Sequence, residues 1–358
     1  MDSKNPLVRD SVTQTELLSQ PDVWPKALQE VESSAVFAEA LNRTRSRKTW
    51  LFVGCGTSYY LAETAASSWR LQTGQLAFAL PASEVMLFPD KALLRASDLQ
   101  AVVISRSGET SEAVRACELL RSEHKIPTLG ITCGQSTSLE AAADLCLTTR
   151  VADDKSPVMT RSFTSMLLAL QYLAARTAGD KEWLGSAKRV ATHCASVIAS
   201  WAEQVEKFVG KRTFSSYAFL GQGPLYGIAR EGALKLTEMS CSFGQPFHTL
   251  EFRHGPKATV TSETCLTFFL SETGNADETK VLSDMKALGG TVIAVCRKSN
   301  AVIAHNSDLV FEFNVEAPET AMLAPFVIPA QLMGLYTGIK KGLTPDSPRN
   351  LSRVVILD

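Results

Sequence analysis

The sequence has almost no excess charge: 36 Lys and Arg face 37 Asp and Glu across 358 residues, a net charge of -1. Neutralising nucleic-acid phosphates takes a basic surplus, so no nucleic-acid partner is expected. None of the eight cysteines (55, 117, 133, 146, 194, 241, 265 and 296) stands in a Cys-x-x-Cys spacing, and several lie inside apolar runs. They read as buried, reduced thiols and not as a disulfide framework. No pair of the five histidines has zinc-ligand spacing, so no metal site is expected. The opening Met1-Asp2-Ser3-Lys4-Asn5-Pro6 has no apolar stretch after its positive charge; no signal peptide is expected, and the location implied is cytoplasmic. Only one uncharged run, 320–339, has the length of a membrane span. It contains Pro325, Pro329 and Gln331, and no second span accompanies it, so it reads as a buried helix entered through a Pro-rich turn, with no membrane partner.

What is present is a globular composition. Hydrophobic residues make up 45 %, enough for sizeable cores in two domains or one domain duplicated. Residues 1–45 read as a helical lead-in whose run is broken by Pro21 and Pro25. From there short apolar strands alternate with amphipathic helices: strands over 51–53, 101–104, 128–132 and 145–147, helices over 57–71 and 109–121. That alternation predicts an α/β fold with a parallel sheet covered on both faces, doubly wound in the flavodoxin-like manner. The pattern then recurs. Phe52-Val53-Gly54-Cys55-Gly56 followed by Tyr59 matches Phe219-Leu220-Gly221-Gln222-Gly223 followed by Tyr226, 167 residues on. Ala143-Asp144-Leu145 matches Ser307-Asp308-Leu309, 164 residues on, and strand 101–104 pairs with 266–270. Three elements in one order imply two copies of one domain. The expected organisation is a lead-in over 1–45, a first domain over 46–180, a linking helix over 181–210, a second domain over 211–340 and a tail over 341–358.

Two loops of the first copy can carry chemistry. Gly54-Cys55-Gly56-Thr57-Ser58 opens a helix directly after a strand, but Tyr59 stands where a dinucleotide fingerprint needs its third glycine, and no acid closes the chain near residue 80. No Gly-Lys-Ser/Thr occurs, so the Walker pattern is absent too. No cofactor is expected. The second loop, Ser105-Arg106-Ser107-Gly108-Glu109-Thr110, offers three hydroxyls and an arginine at a helix start, where backbone N–H groups and the positive end of the helix dipole converge. Capping a helix takes one hydroxyl; this loop has three, with Thr57 and Ser58 at the neighbouring strand end. The set suits a phosphate monoester. The matching stretch of the second copy, Ser271-Glu272-Thr273, has lost that character, since Glu272 repels a phosphate.

Further on, Glu231, Lys235 and Glu238 recur at i, i+4 and i+7, one face of a helix. Such a trio is either a solvated Glu–Lys face or, among Ile228, Ala229, Ala233, Leu234, Leu236 and Met239, a buried set able to move protons. His254 stands in the polar Glu251-Phe252-Arg253-His254-Gly255-Pro256.

Together these motifs, with Met159-Thr160-Arg161-Ser162-Phe163-Thr164 and the tail Pro348-Arg349-Asn350-Leu351, resemble the sugar isomerase (SIS) superfamily, in particular the isomerase half of the glucosamine-6-phosphate synthases. The resemblance implies two tandem SIS domains and a phosphorylated sugar, an amino sugar 6-phosphate, as partner. It implies that Thr57, Ser58, Ser105, Arg106, Ser107 and Thr110 hold the phosphate, with Arg106 where the synthases have glutamine. It makes Glu238 the proton shuttle between C-1 and C-2, with Glu231 and Lys235 in support. His254 is then the ring-opening histidine, contributed across a homodimer interface. The synthases' glutaminase domain has no counterpart, and Arg353 stands where their tail has an imine-forming lysine, a role closed to a permanently protonated guanidinium, so Arg353 is expected to bind substrate instead. The activity implied is a phosphosugar isomerase or deaminase. A fructosamine-6-phosphate deglycase and a non-catalytic sugar-phosphate sensor remain the alternatives.

Overall fold

Among the described residues, ten strands form two separate five-stranded parallel sheets. The computed structural model describes residues 11–93 and 97–357, so the opening segment on which the signal-peptide expectation rests lies outside the described residues. The first sheet contains β1 (Thr49–Gly54), β2 (Leu76–Pro81), β3 (Leu99–Ile104), β4 (Thr128–Thr132) and β5 (Leu145–Thr148), in the order β2-β1-β3-β4-β5. The second contains β6 (Ser216–Gly221), β7 (Gly244–His248), β8 (Thr264–Phe269), β9 (Thr291–Cys296) and β10 (Leu309–Glu312), in the order β10-β9-β8-β6-β7. Counted within each half, both sheets run 2-1-3-4-5, the flavodoxin-like doubly wound order. Strands β1, β3, β4 and β8 are buried at every residue, as expected where helices cover both faces.

The duplication extends to single hydrogen bonds. The Asp144 carboxylate accepts from the Thr128 N–H at 2.8 Å, and the Asp308 carboxylate accepts from the Val292 N–H at 2.8 Å, each closing the start of the inner strand beside it. The Gly-x-Gly turns also match. A Cβ on Gly54 would lie 2.4 Å from the Ser58 carbonyl, and one on Gly221 would lie 2.2 Å from that of Leu225. Gly56 and Gly223 hold φ of +53° and +56°. Both glycine pairs therefore serve a tight strand-to-helix turn, which is the geometric reason the motif recurs without a dinucleotide fingerprint.

The chain divides into two compact units. One, built on the first sheet, takes in Gln20–Asp153, Arg161–Ala191 and residues 352–357; the other, built on the second, takes in residues 11–19, Asp154–Thr160 and Thr192–Leu351. The long Lys181–Gly210 helix contributes its first part to one unit and the remainder to the other.

Some expectations change. Pro25 does not break the lead-in: it lies inside the Gln20–Ser33 helix, close enough to its start that little of the intrahelical ladder is lost, and Pro21 sits in its first turn. Two of the four edge strands, β2 and β7, carry no clear strand signal. β7 includes Pro246, which an edge position tolerates because one side of the strand makes no ladder bonds. Not every cysteine is buried: Cys241 is exposed and Cys55 and Cys146 are half-buried, while burial pushes the Cys117 and Cys296 thiols up to about 12. The uncharged run is buried as expected. It forms a short 3-10 turn (Glu319–Met322), one further turn (Leu323–Phe326) and the Ile328–Lys340 helix, whose residues through Gly338 are all covered within the fold.

Candidate active site

In a doubly wound sheet the connections leave in opposite directions at the switch point, and the loops that part there open a crevice at the strands' carboxyl ends. In the first unit that point lies between β1 and β3, so it is bordered by the 54–57 turn and the 105–110 loop. Thr57 and Ser58 begin the Thr57–Thr73 helix and are buried, as are Ser105 and Arg106; Ser107 and Thr110 are half-buried.

The loop is internally braced. Ser105 Oγ accepts from the Gly108 N–H at 3.1 Å, and Ser107 Oγ accepts from the Glu109 N–H at 3.1 Å. The Arg106 carbonyl accepts from the Cys133 N–H and the Thr132 hydroxyl at 2.9 and 3.0 Å. Gly108 has φ +70° and packs so closely on Thr137 that a Cβ would fall 2.4 Å from its hydroxyl. The following helix is Ser111–Glu118, two residues later than the spacing predicts, because 109 and 110 complete the loop. Thr110 occupies the N-cap position but makes no side-chain cap bond. The three hydroxyls therefore do not serve as the helix cap.

Residues 352–357 belong to the same unit and run past this loop. Arg106 Nη2 donates to the Arg353 carbonyl, the Ser111 N–H donates to the Val355 carbonyl at 3.3 Å, and the Leu357 N–H donates to Ser111 Oγ at 3.0 Å. The Arg353 guanidinium, expected to bind substrate, is paired with Asp153 at 2.5 Å.

In the second unit the loop after β8 repeats the brace, with Ser271 Oγ accepting from the Gly274 N–H at 2.8 Å. Here the protein's own carboxylates occupy the donors. Glu278 accepts from the Ser271 N–H and hydroxyl at 2.7 and 2.8 Å, and Glu319 accepts from the Glu272 N–H at 2.9 Å. Burial raises the Glu278 carboxyl to about 7 despite those bonds. Its folded value thus exceeds its ordinary 4.5, so between those values the folded chain holds more protons than the unfolded one. Stability consequently falls as pH rises across that window, by up to about 3 kcal/mol. Glu278→Gln is expected to flatten this slope in urea midpoints compared at pH 5 and pH 8; an unchanged slope would assign it to other groups.

The Leu225–Ser240 helix, which starts at the carboxyl end of β6, brings the predicted trio together. Lys235 Nζ lies 3.4 Å from Glu231 Oε1 and 2.5 Å from Glu238 Oε2. Glu231 and Lys235 are fully buried, and the Glu238 side chain keeps 18 % of its exposure. Burial disfavours the Lys235 ammonium, but Glu231 and Glu238 outweigh it and hold its pKa above the ordinary value. The cover comes from the Ile328–Lys340 helix, whose Gly334 and Gly338 approach the Lys235 and Met239 carbonyls too closely to admit a Cβ. Glu238 borders a cavity of about 330 Å³ lined also by Cys241, Thr344, Ser347 and Arg349. The trio is thus a buried charge set with one carboxylate open to a cavity, not a solvated face. His254 is exposed at the end of the Glu251–Arg253 turn.

Sequence reasoning missed Asp153, Glu278 and Glu319. Only the Ser–x–x–Gly echo between 105–108 and 271–274 pointed toward the two glutamates, and nothing pointed to Asp153. Among the described residues no group of three or more His, Cys, Asp or Glu is placed to hold a metal ion.

Tandem doubly wound sheets, with a braced hydroxyl loop at one switch point, define an α/β class that binds ligands at strand carboxyl ends. Residues 44–176 and 215–338 each match the SIS domain family, and the chain belongs to it. It is 28 % identical to the glutamine–fructose-6-phosphate aminotransferase (isomerizing) of Pyrobaculum aerophilum, matching 96 % of this chain but only 57 % of that protein. It is 27 % identical to the D-galactosamine-6-phosphate deaminase of Escherichia coli O157:H7, over 94 % of this chain and 91 % of that one. Among solved structures, glucosamine-6-phosphate deaminase from Thermotoga maritima is 28 % identical with a TM-score of 0.79, covering 97 % of this chain and all of that one.

Proposed function

We propose that the protein is a phosphosugar isomerase that acts as a deaminase on an amino sugar 6-phosphate. The observation that carries the reading is the Glu231–Lys235–Glu238 set, buried except where Glu238 meets a cavity. A sensor needs a phosphate loop but has no use for a carboxylate held against a buried ammonium. Two relatives matched along nearly their whole length are named deaminases, whereas the aminotransferase of Pyrobaculum aerophilum is matched over little more than half of its length.

In this reading the first domain, 46–180, holds the phosphate through Ser105, Arg106, Ser107 and Thr110 with Thr57 and Ser58, and the second, 211–340, supplies the proton chemistry. His254, from a partner subunit of a homodimer, opens the ring. Glu238 takes the C-2 proton of the open-chain amino aldose to give an enolamine and returns it to C-1. The resulting C-2 imine is hydrolysed by water to the ketose phosphate and ammonia, so no lysine imine is required of Arg353. Lys235, buried and 2.5 Å from Glu238, holds that carboxylate in place at the edge of the cavity.

The test is a coupled assay with glucosamine-6-phosphate and galactosamine-6-phosphate. Equimolar ammonia and ketose phosphate are expected from one of them. Ketose formation from an aldose 6-phosphate without ammonia would make the enzyme an isomerase alone, and release of an amine from a fructosamine 6-phosphate would make it a deglycase.

A further inference from the structure

Asp153 joins the candidate site through two links. It follows the Arg150–Ala152 turn, its carbonyl accepts from Arg161 at 2.7 Å, and its carboxylate pairs with Arg353 at 2.5 Å, 200 residues along the chain. The Arg353 carbonyl in turn accepts from the Arg106 guanidinium in the 105–110 loop. All of these residues belong to the first unit. We propose that Asp153 is a positioning residue for phosphate binding: it anchors Arg353, and the Arg353 carbonyl then fixes the Arg106 guanidinium in the loop. The inference rests on the reading of that loop as the phosphate site.

The physics gives the proposal a sign that simple electrostatics reverses. A carboxylate near an anion site repels the anion, so if Asp153 acted only as a charge, its removal would tighten phosphate binding. If it acts by position, removal lets Arg353 shift its register and moves the carbonyl that meets the Arg106 guanidinium, so that re-placing that guanidinium opposes binding. Two further bonds hold the segment at Ser111, so the loss is limited to the register of Arg353. A partly exposed ion pair supports an effect of about threefold to fivefold. The assignment also gives Arg353 a task that its backbone carbonyl performs, which explains how a guanidinium serves at a tail position where an imine-forming amine is absent.

The experiment is calorimetric titration of the full chain with inorganic phosphate, alongside steady-state kinetics on the amino sugar phosphate. Asp153→Asn is expected to weaken phosphate binding by about threefold to fivefold and to raise KM with kcat unchanged. Asp153→Glu restores both. Asp153→Asn combined with Arg106→Gln is expected to bind no worse than Arg106→Gln alone. Equal or tighter phosphate binding by Asp153→Asn, additivity in the double variant, or a lowered melting temperature with unaltered affinity would each overturn the proposal. If Ser105→Ala weakens phosphate binding while Asp153→Asn does not, the proposal falls alone. If neither Ser105→Ala nor Arg106→Gln changes binding, the phosphate-loop reading falls and takes the proposal with it.

Discussion

Glu238→Gln is expected to abolish turnover while leaving ligand binding intact. A glutamine fills the same volume and can still accept from Lys235 Nζ, which lies 2.5 Å from the native carboxylate, but it cannot take a proton from carbon. Removing a positioned general base from such a reaction costs on the order of 10²–10⁴ in rate. Because the substitution leaves the proposed phosphate site, the 105–110 loop, unaltered, the rise in melting temperature produced by an amino sugar phosphate is expected to survive it. Steady-state kinetics and thermal melts on one preparation check both halves. Retained turnover would mean that another group carries the proton. Loss of the ligand-induced shift would mean that Glu238 is a binding residue instead.

The second large effect is on stability. Lys235 is fully buried between two carboxylates, one fully buried and one largely so, and its positive charge is what makes their burial tolerable. Lys235→Met leaves Glu231 without its counter-charge in a site sealed by the Ile328–Lys340 helix. Breaking a buried pair from one side costs about 3–5 kcal/mol, far more than the net contribution of an intact one. Urea unfolding is expected to show that loss. Adding Glu231→Leu to Lys235→Met is expected to recover most of it, since an apolar pair leaves no stranded charge. A loss below about 1 kcal/mol would mean that the charges are solvated by water at the site.

How much of this was legible in the sequence depended on burial. Strands β1, β3 and β4 are covered on both faces, so the sequence must spell them as apolar runs, and they were located within a residue or two. Edge strands β2 and β7 meet weaker demands, and one of them accommodates Pro246; composition does not mark them. The Glu231–Lys235–Glu238 spacing was visible, but whether that face is wet or dry depends on the Gly334 and Gly338 approach from a helix about a hundred residues away. The same limit applies to the tail. Arg353 looked like a ligand-binding cation because its charge is visible and its partner, Asp153, is not. In the second unit the loss of phosphate character was evident from Glu272, yet the way Glu278 and Glu319 occupy the loop donors emerges only from the folded backbone.

The central claim, that this chain moves a proton between adjacent sugar carbons, is tested most directly by proton NMR of a reaction in deuterium oxide with the competent amino sugar phosphate. The account predicts deuterium at C-1 of the ketose product, incorporated as Glu238 exchanges its proton with solvent during transfer, and no incorporation with Glu238→Gln. Ligand binding with no conversion and no exchange at either carbon in the wild-type chain would contradict it.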